Sequence, residues 1–243
     1  MSAVRGESIA RMVVNGSCEE DWPEVLALAR EYPQVLPSFG YHPWYVKERT
    51  LQWQRELARF LDSVPSAVGE IGLDRWIKDY DLALQEEMFV FQLRLAAERG
   101  LPVSIHCLQA WGPLLDILGR EPRPTGGFLL HSFGGAPELI PGLVKLGAYF
   151  SLPGFFAHPR KARQRETFRA VPLERLLIET DAPDQSLPDE HNRFPLLDAE
   201  GKPLNHPANL RAVYEFAAEL LDLPLEKLAA QVESNFLRLF ARK

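Results

Sequence analysis

Short apolar, β-branched runs alternate with longer segments of helical period along this chain, the pattern of βα units around a parallel sheet. Seven runs read as strands, at 11–15, 35–40, 67–72, 102–107, 127–132, 148–152 and 175–180. Between them, spacings such as Leu84, Met88, Phe91 and Leu95 place one apolar stripe of a helix on the sheet. Two helices close the chain. Pro207, a good first-turn residue, opens one, with Leu210, Val213, Tyr214, Ala217 and Leu221 on its buried face. The other runs through Leu225, Leu228, Ala229, Val232, Phe236 and Leu239. No repeat of fixed period and no linker divides the sequence, so 1–243 is expected to form a single domain.

At 243 residues the chain is close to the roughly 250 of a (β/α)₈ barrel. Seven strands fall one short of closure, and residues 1–10 are too polar and too few to hold another strand and its helix. An eighth strand, if the complete protein has one, lies upstream of Met1. Composition narrows the function classes. Hydrophobic residues make up 46% and charged residues 25%, as in an ordinary globular protein. No stretch approaches the roughly 18 apolar residues of a membrane helix, and no secretory signal opens the chain, so a cytoplasmic location is expected. Cys18 and Cys107 stand far apart, without the paired spacing of a disulfide framework or a cysteine zinc site. The net charge of −6 disfavours a protein that coats nucleic acid through a basic surface, but not an enzyme that meets phosphates through bound cations.

Four residues that bind metals well stand towards the C-terminal ends of four different expected strands: Glu70, His106, His131 and Asp181. In a parallel barrel those ends share one face, where barrel enzymes carry their sites. Any one of the four reads as readily as a satisfied polar residue at a strand end. Four at equivalent positions point instead to a divalent-metal cluster of the Zn²⁺, Mn²⁺ or Mg²⁺ type, because carboxylates bridge such ions and imidazoles terminate them.

The runs GYHPW (40–44), AVGEIGLD (67–74), PVSIHC (102–107), LLHSFGG (129–135), LLIETDAP (176–183), NHPANL (205–210) and NFLRLF (235–240) follow one another in order. Together they resemble the motifs of TatD-type metal-dependent hydrolases, from about residue 11 to the C-terminus. The resemblance implies an α/β fold, a (β/α)₈ TIM barrel of the amidohydrolase-like type, here without the first strand and its His-x-His pair. It also implies one or two divalent metal ions per chain, with Glu70 bridging, His106 and His131 completing one site, and Asp181 serving the other as ligand and proton acceptor. Without the His-x-His pair the Asp181 site is reduced, while the site of Glu70, His106 and His131 is kept. The reaction implied is hydrolysis by a metal-bound hydroxide, with Glu70 and Asp181 as the catalytic carboxylates.

Other residues carry weaker signals. His42 and Trp44, in GYHPW, follow a strand end and are expected near substrate; for His42 a plain turn role before Pro43 is the alternative. His206 stands where a helix begins, a place that attracts anions. Arg160 leads a basic run through Lys161, Arg163 and Arg165 that offers a grip for phosphates, with a solvated helix face as the alternative. Asp74 reads equally as a partner of a metal ligand or as a helix-side cap. Trp76 shares with Trp44 a position just after a motif strand, where an indole can stack on a base, whereas Trp53 and Trp111 read as packing residues. Cys107, next to His106 on a strand, points to the opposite face and is no ligand. The polar connection 184–204 is long enough to act as a lid or help choose the substrate, and reads equally as an insertion with no contact to the site.

The function expected from this reading is a phosphodiesterase, a deoxyribonuclease of 3′-to-5′ exonuclease type acting on nucleic acid. Two alternatives stay open. One is an ester hydrolase of D-aminoacyl-tRNA deacylase type on the same site, and the other is a non-catalytic metal-binding barrel. No membrane or protein partner is expected.

Overall fold

The computed structural model describes residues 9–241. Most of the expectation for residues 1–10 therefore lies outside the described residues. The chain forms two compact units, one of Ala10–His131 with Lys145–Ala148 and one built chiefly of Ser132–Val144 and the chain from Tyr149 onward.

The first unit runs β1 (Met12–Asn15), α1 (Trp22–Glu31), β2 (Val35–Phe39), α2 (Trp53–Ser63), β3 (Ala67–Asp74), α3 (Leu82–Arg99), β4 (Val103–Leu108), α4 (Trp111–Arg120) and β5 (Phe128–Leu130). The strands pair in chain order and all in parallel, the consequence of a helical crossover after each. β2 to β4 read as continuous apolar runs because such strands are covered on both faces: Phe39, Val68, Ile71, Leu73, Val103 and Ile105 are all buried. An aromatic cluster fills the space under α1 and α2. Trp22 meets Phe60 and Tyr41 edge-on at 5.6 and 5.7 Å, and its indole N–H donates to the carbonyl of Gly40 at 3.1 Å, so the buried ring leaves no donor unpaired.

The second unit carries α5 (Ile140–Lys145), β6 (Ala148–Pro153), α6 (Ala162–Arg169), β7 (Leu176–Glu179), a short antiparallel pair β8 (Leu196–Leu197) and β9 (Pro203–Leu204), then α7 (Leu210–Leu221) and α8 (Leu225–Phe240). β6 and β7 pair in parallel. Its core includes Phe133, which meets Phe150 at 4.9 Å, and Val213 of α7 packed with Leu187.

Every expected strand is present, with bounds that differ for physical reasons. β3 continues to Asp74 because its last residues pair with β4 as far as Leu108. β5 is short and ends before His131. Pro207 opens a single 3-10 turn, Pro207–Asn209, which leads into α7 at Leu210. The connection 184–204 is not wholly irregular, since it contains the β8–β9 pair.

Gly72 is required where β3 lies against β4. Its φ is +147°, and a Cβ there would stand 1.9 Å from the carbonyl oxygen of His106, a backbone atom with no room to yield. Gly72→Ala is expected to cost about 3 kcal/mol or more of folding stability, read by urea denaturation.

Candidate metal centre

A local irregularity aims Glu70. Between Val68 and Ile71 the pairing of β3 with β4 slips, so that Gly69 and Glu70 together oppose a single residue of β4. A bulge of this kind re-aims a side chain that regular alternation would send elsewhere. His106 comes from within β4, and His131 follows β5 directly, its backbone N–H donating to the carbonyl of Ile105 at 3.1 Å. His42 follows β2, fixed by its N–H to the carbonyl of Ser17 at 2.8 Å.

These four side chains meet at one oxygen. Oε1 of Glu70 lies 2.6 Å from Nε2 of His131, 3.0 Å from Nδ1 of His106 and 3.5 Å from Nε2 of His42. Nδ1 of His106 is in turn 3.1 Å from Nε2 of His131. The oxygen is buried and, among the described residues, accepts no hydrogen bond of regular geometry. Ligand atoms of His42, Glu70 and His106 all fall within 4.8 Å of one another, close enough to share one ion. A carboxylate and imidazoles gathered this tightly form a donor set suited to a divalent cation. Burial works against the charge on Glu70, yet the neighbouring imidazoles, His131 above all, hold its carboxyl well below the usual range. Burial lowers the pKa of His42 and favours the neutral ring that can act as a ligand.

Asp74 stands against a candidate ligand and at the end of β3 rather than at a helix start, since α3 is capped by Asp81. Its Oδ2 lies 2.8 Å from Nε2 of His106 and accepts the indole N–H of Trp44 at 2.7 Å, while Oδ1 accepts the backbone N–H groups of Trp76 and Ile77 at 2.6 and 3.1 Å. With the Nε2 proton directed at Asp74, the lone pair of Nδ1 of His106 is left for a cation held beside Glu70. The carboxyl of Asp74 is buried, which raises its pKa, but His106 and Trp44 outweigh this and bring it down to about 2. Burial lowers the pKa of His106, but its bond to Asp74 and the adjacent Glu70 carboxylate outweigh this and raise it.

Two glutamines that sequence reading passed over pin the loops of this centre. Gln85 and Gln92 stand seven residues apart on one face of α3. The Gln92 amide accepts the N–H of Tyr41 at 2.7 Å, just before His42, and the Gln85 amide exchanges two bonds of 2.9 Å with the backbone of Asp74. In a helix both read as polar surface. Only their burial reveals the role.

Asp181 belongs to the second unit, where it follows β7 with a φ of +59° and its carboxylate accepts a hydrogen bond from the Gln185 amide. Gln185 also donates to Oγ of Ser132 at 3.0 Å, and Ser132 donates to Glu179 at 2.6 Å; Ser151 donates to the other oxygen of Glu179 at 2.5 Å. The turn that bears Asp181 is clamped by Asn205 of the NHPANL run, whose side chain donates to the carbonyls of Thr180 and Gln185 at 2.7 and 3.3 Å while its backbone N–H reaches Pro183 at 2.8 Å. Ser132, Glu179, Gln185 and Asn205 are not singled out by the sequence, because isolated polar residues at a strand end or in loops carry no periodicity.

The remaining candidates divide. Trp44 and Trp76 are exposed, at 44% and 63%. Trp53 is buried and packs on Phe91 at 5.0 Å. His206 caps the turn before α7, its Nδ1 accepting the N–H of Ala208 at 3.0 Å with the ring stacked on Phe194 at 5.8 Å, so its own geometry is structural. Arg160 lies over the ring of Phe155 at 5.2 Å, and Arg165 donates to the carbonyls of Phe156 and His158, so part of the basic run braces its own turn. Cys107 is half-buried, and burial raises its thiol to about 12.

Loss of the clamp is expected to loosen the Asp181 turn. Asn205→Ala removes a buried amide and strands the carbonyls it served, at a cost of about 2 kcal/mol. Denaturant unfolding reads that cost, and faster amide hydrogen exchange confined to 181–185 locates it.

The described residues include no helix long and apolar enough to cross a membrane. A family model described as TatD related DNase matches residues 1–241. The metal-dependent hydrolase YjjV of Escherichia coli K12 is 30% identical over 96% of this chain and 86% of its own, and the 3′-5′ ssDNA/RNA exonuclease TatD of Escherichia fergusonii is 32% identical over 94% and 86%. The crystal structure of E. coli YjjV superposes with a TM-score of 0.88 at 29% identity, covering 100% of this chain and 90% of that one. A TatD family hydrolase from Entamoeba histolytica, at 19% identity and a TM-score of 0.85, shares the fold. With the ordered motifs, the parallel βα architecture and the His/Glu cluster already in place, these likenesses settle the affiliation: the chain belongs to the TatD family of metal-dependent hydrolases.

Proposed function

We propose that this chain is a divalent-metal-dependent phosphodiesterase that cleaves single-stranded nucleic acid in the manner of a 3′-to-5′ exonuclease. The observation that carries the reading is the buried Oε1 of Glu70, ringed by imidazole nitrogens of His42, His106 and His131 and lacking a regular hydrogen bond of its own. Relatives that cover most of this chain are named 3′-5′ ssDNA/RNA exonucleases, which supports the choice of bond.

Glu70, His106 and His131 would hold one ion, of the Zn²⁺, Mn²⁺ or Mg²⁺ type, with His42 as a further ligand or as a contact to substrate. A divalent ion bound there supplies Lewis acidity, stabilising charge on a phosphoryl oxygen and acidifying a water molecule. Asp74 keeps His106 in the tautomer that faces Glu70. Asp181, assigned through the LLIETDAP motif, is the proton acceptor of the same reading and a ligand of a second ion if one binds.

Chain stripped of metal by chelation is expected to leave end-labelled single-stranded DNA intact, and to shorten it from the 3′ end when Mg²⁺, Mn²⁺ or Zn²⁺ is restored. Glu70→Gln should lower kcat by roughly a hundredfold or more at saturating metal, and Asp181→Asn by a similar factor. Metal that binds tightly without any turnover would overturn the reading in favour of a non-catalytic barrel. Turnover confined to D-aminoacyl esters would overturn the choice of bond.

A further inference from the structure

Trp44 is an indole held in place with part of its surface left open. Its N–H is bound to Oδ2 of Asp74 at 2.7 Å, and its ring stands edge-on to His42 at 5.2 Å and 89°. It remains 44% exposed. Both of these contacts belong to the metal centre, since the same Asp74 oxygen meets His106 and His42 lies 3.5 Å from Glu70. Trp76 follows two residues after Asp74, its backbone tied to Oδ1 of that carboxylate, and is 63% exposed. A fold that buries Trp22 and Trp53 thus leaves two indoles in water beside its hydrolytic residues, both anchored through Asp74. A ring already held in one orientation loses little entropy when a flat ligand covers it.

Charge decides what the ligand is gripped by. The chain carries a net −6, and the segment bearing Trp76 balances Arg75 and Lys78 against Asp79 and Asp81. With that local balance and a net negative chain, attraction to the backbone of a strand is weak here and its flat bases must supply affinity. Bases within a duplex are already stacked on both faces, whereas those of a single strand are open.

We propose that Trp44 and Trp76 form a base-stacking platform that seats unpaired nucleobases beside the candidate metal centre, making the chain selective for single strands. The inference rests on the nucleic-acid reading above and adds to it the group that is recognised.

The test separates the two. In chelator, where no cleavage is expected, the full chain is titrated with a fluorescent single-stranded 12-mer and with the same strand made abasic. Wild type should prefer the base-bearing strand by roughly ten- to hundredfold. Trp76→Ala and the doubly substituted Trp44→Ala/Trp76→Ala should lose that preference progressively, with unchanged affinity for the abasic strand. Trp44→Phe, which keeps an aromatic face but not the bond to Asp74, should retain most of it and guards against a variant that fails to fold. Equal affinity of wild type for both strands, no binding of either, or a preference that survives in the double variant would overturn the platform. Metal-dependent cleavage with no base preference would sink this inference alone, and base-dependent binding with no cleavage under any metal would sink the nuclease reading alone.

Discussion

A buried carboxylate is tolerated only where its charge is met, and Glu70 meets its own with imidazoles that come from three other segments of the first unit. Leaving such a charge without partners costs several kcal/mol, more than most single contacts return. The positions of His42, His106 and His131 are therefore bound to that of Glu70. The bulge at Gly69–Glu70, the close approach of β3 to β4 at Gly72 and the early end of β5 before His131 all bear on where these groups stand.

Asp74 extends the arrangement outward. One of its oxygens touches both His106 and Trp44, and the other holds the backbone that leads to Trp76. A single side chain thus selects the tautomer of a candidate ligand and the pose of an exposed indole. α3 supports this from behind through Gln85 and Gln92, whose amides satisfy loop backbone that packing alone would leave unpaired. Exposed indoles and candidate metal ligands thus share one scaffold, and rigid elements of this kind hold side chains more precisely than loops do.

In the second unit polar groups rather than apolar packing set the turn after β7. Asn205 ties Thr180, Pro183 and Gln185 together, and Ser132, Asp181 and Gln185 all hold positive φ within one hydrogen-bonded network. Non-glycine residues in that conformation persist where their surroundings over-determine them. The NHPANL run, which as bare sequence suggested a helix start and an anion site, is here largely the brace of the Asp181 turn.

The sequence by itself determined the order and parallel sense of the strands, because period and composition of a βα unit are local properties. It also singled out Glu70, His106 and His131, whose residue types at strand ends advertise metal chemistry, and it pointed to the family through seven ordered runs. Only the tertiary structure decided that His42 joins them at one oxygen, that Asp74 orients His106, and that Gln85 and Gln92 are buried struts rather than helix surface. Each of those facts depends on residues tens of positions apart meeting in space, and on a one-residue slip in strand pairing that no periodicity reveals. Whether an indole is core or surface is likewise a matter of what lies over it. Position along the chain already set Trp53 apart from Trp76, but only the folded chain covers the first and leaves the second in water.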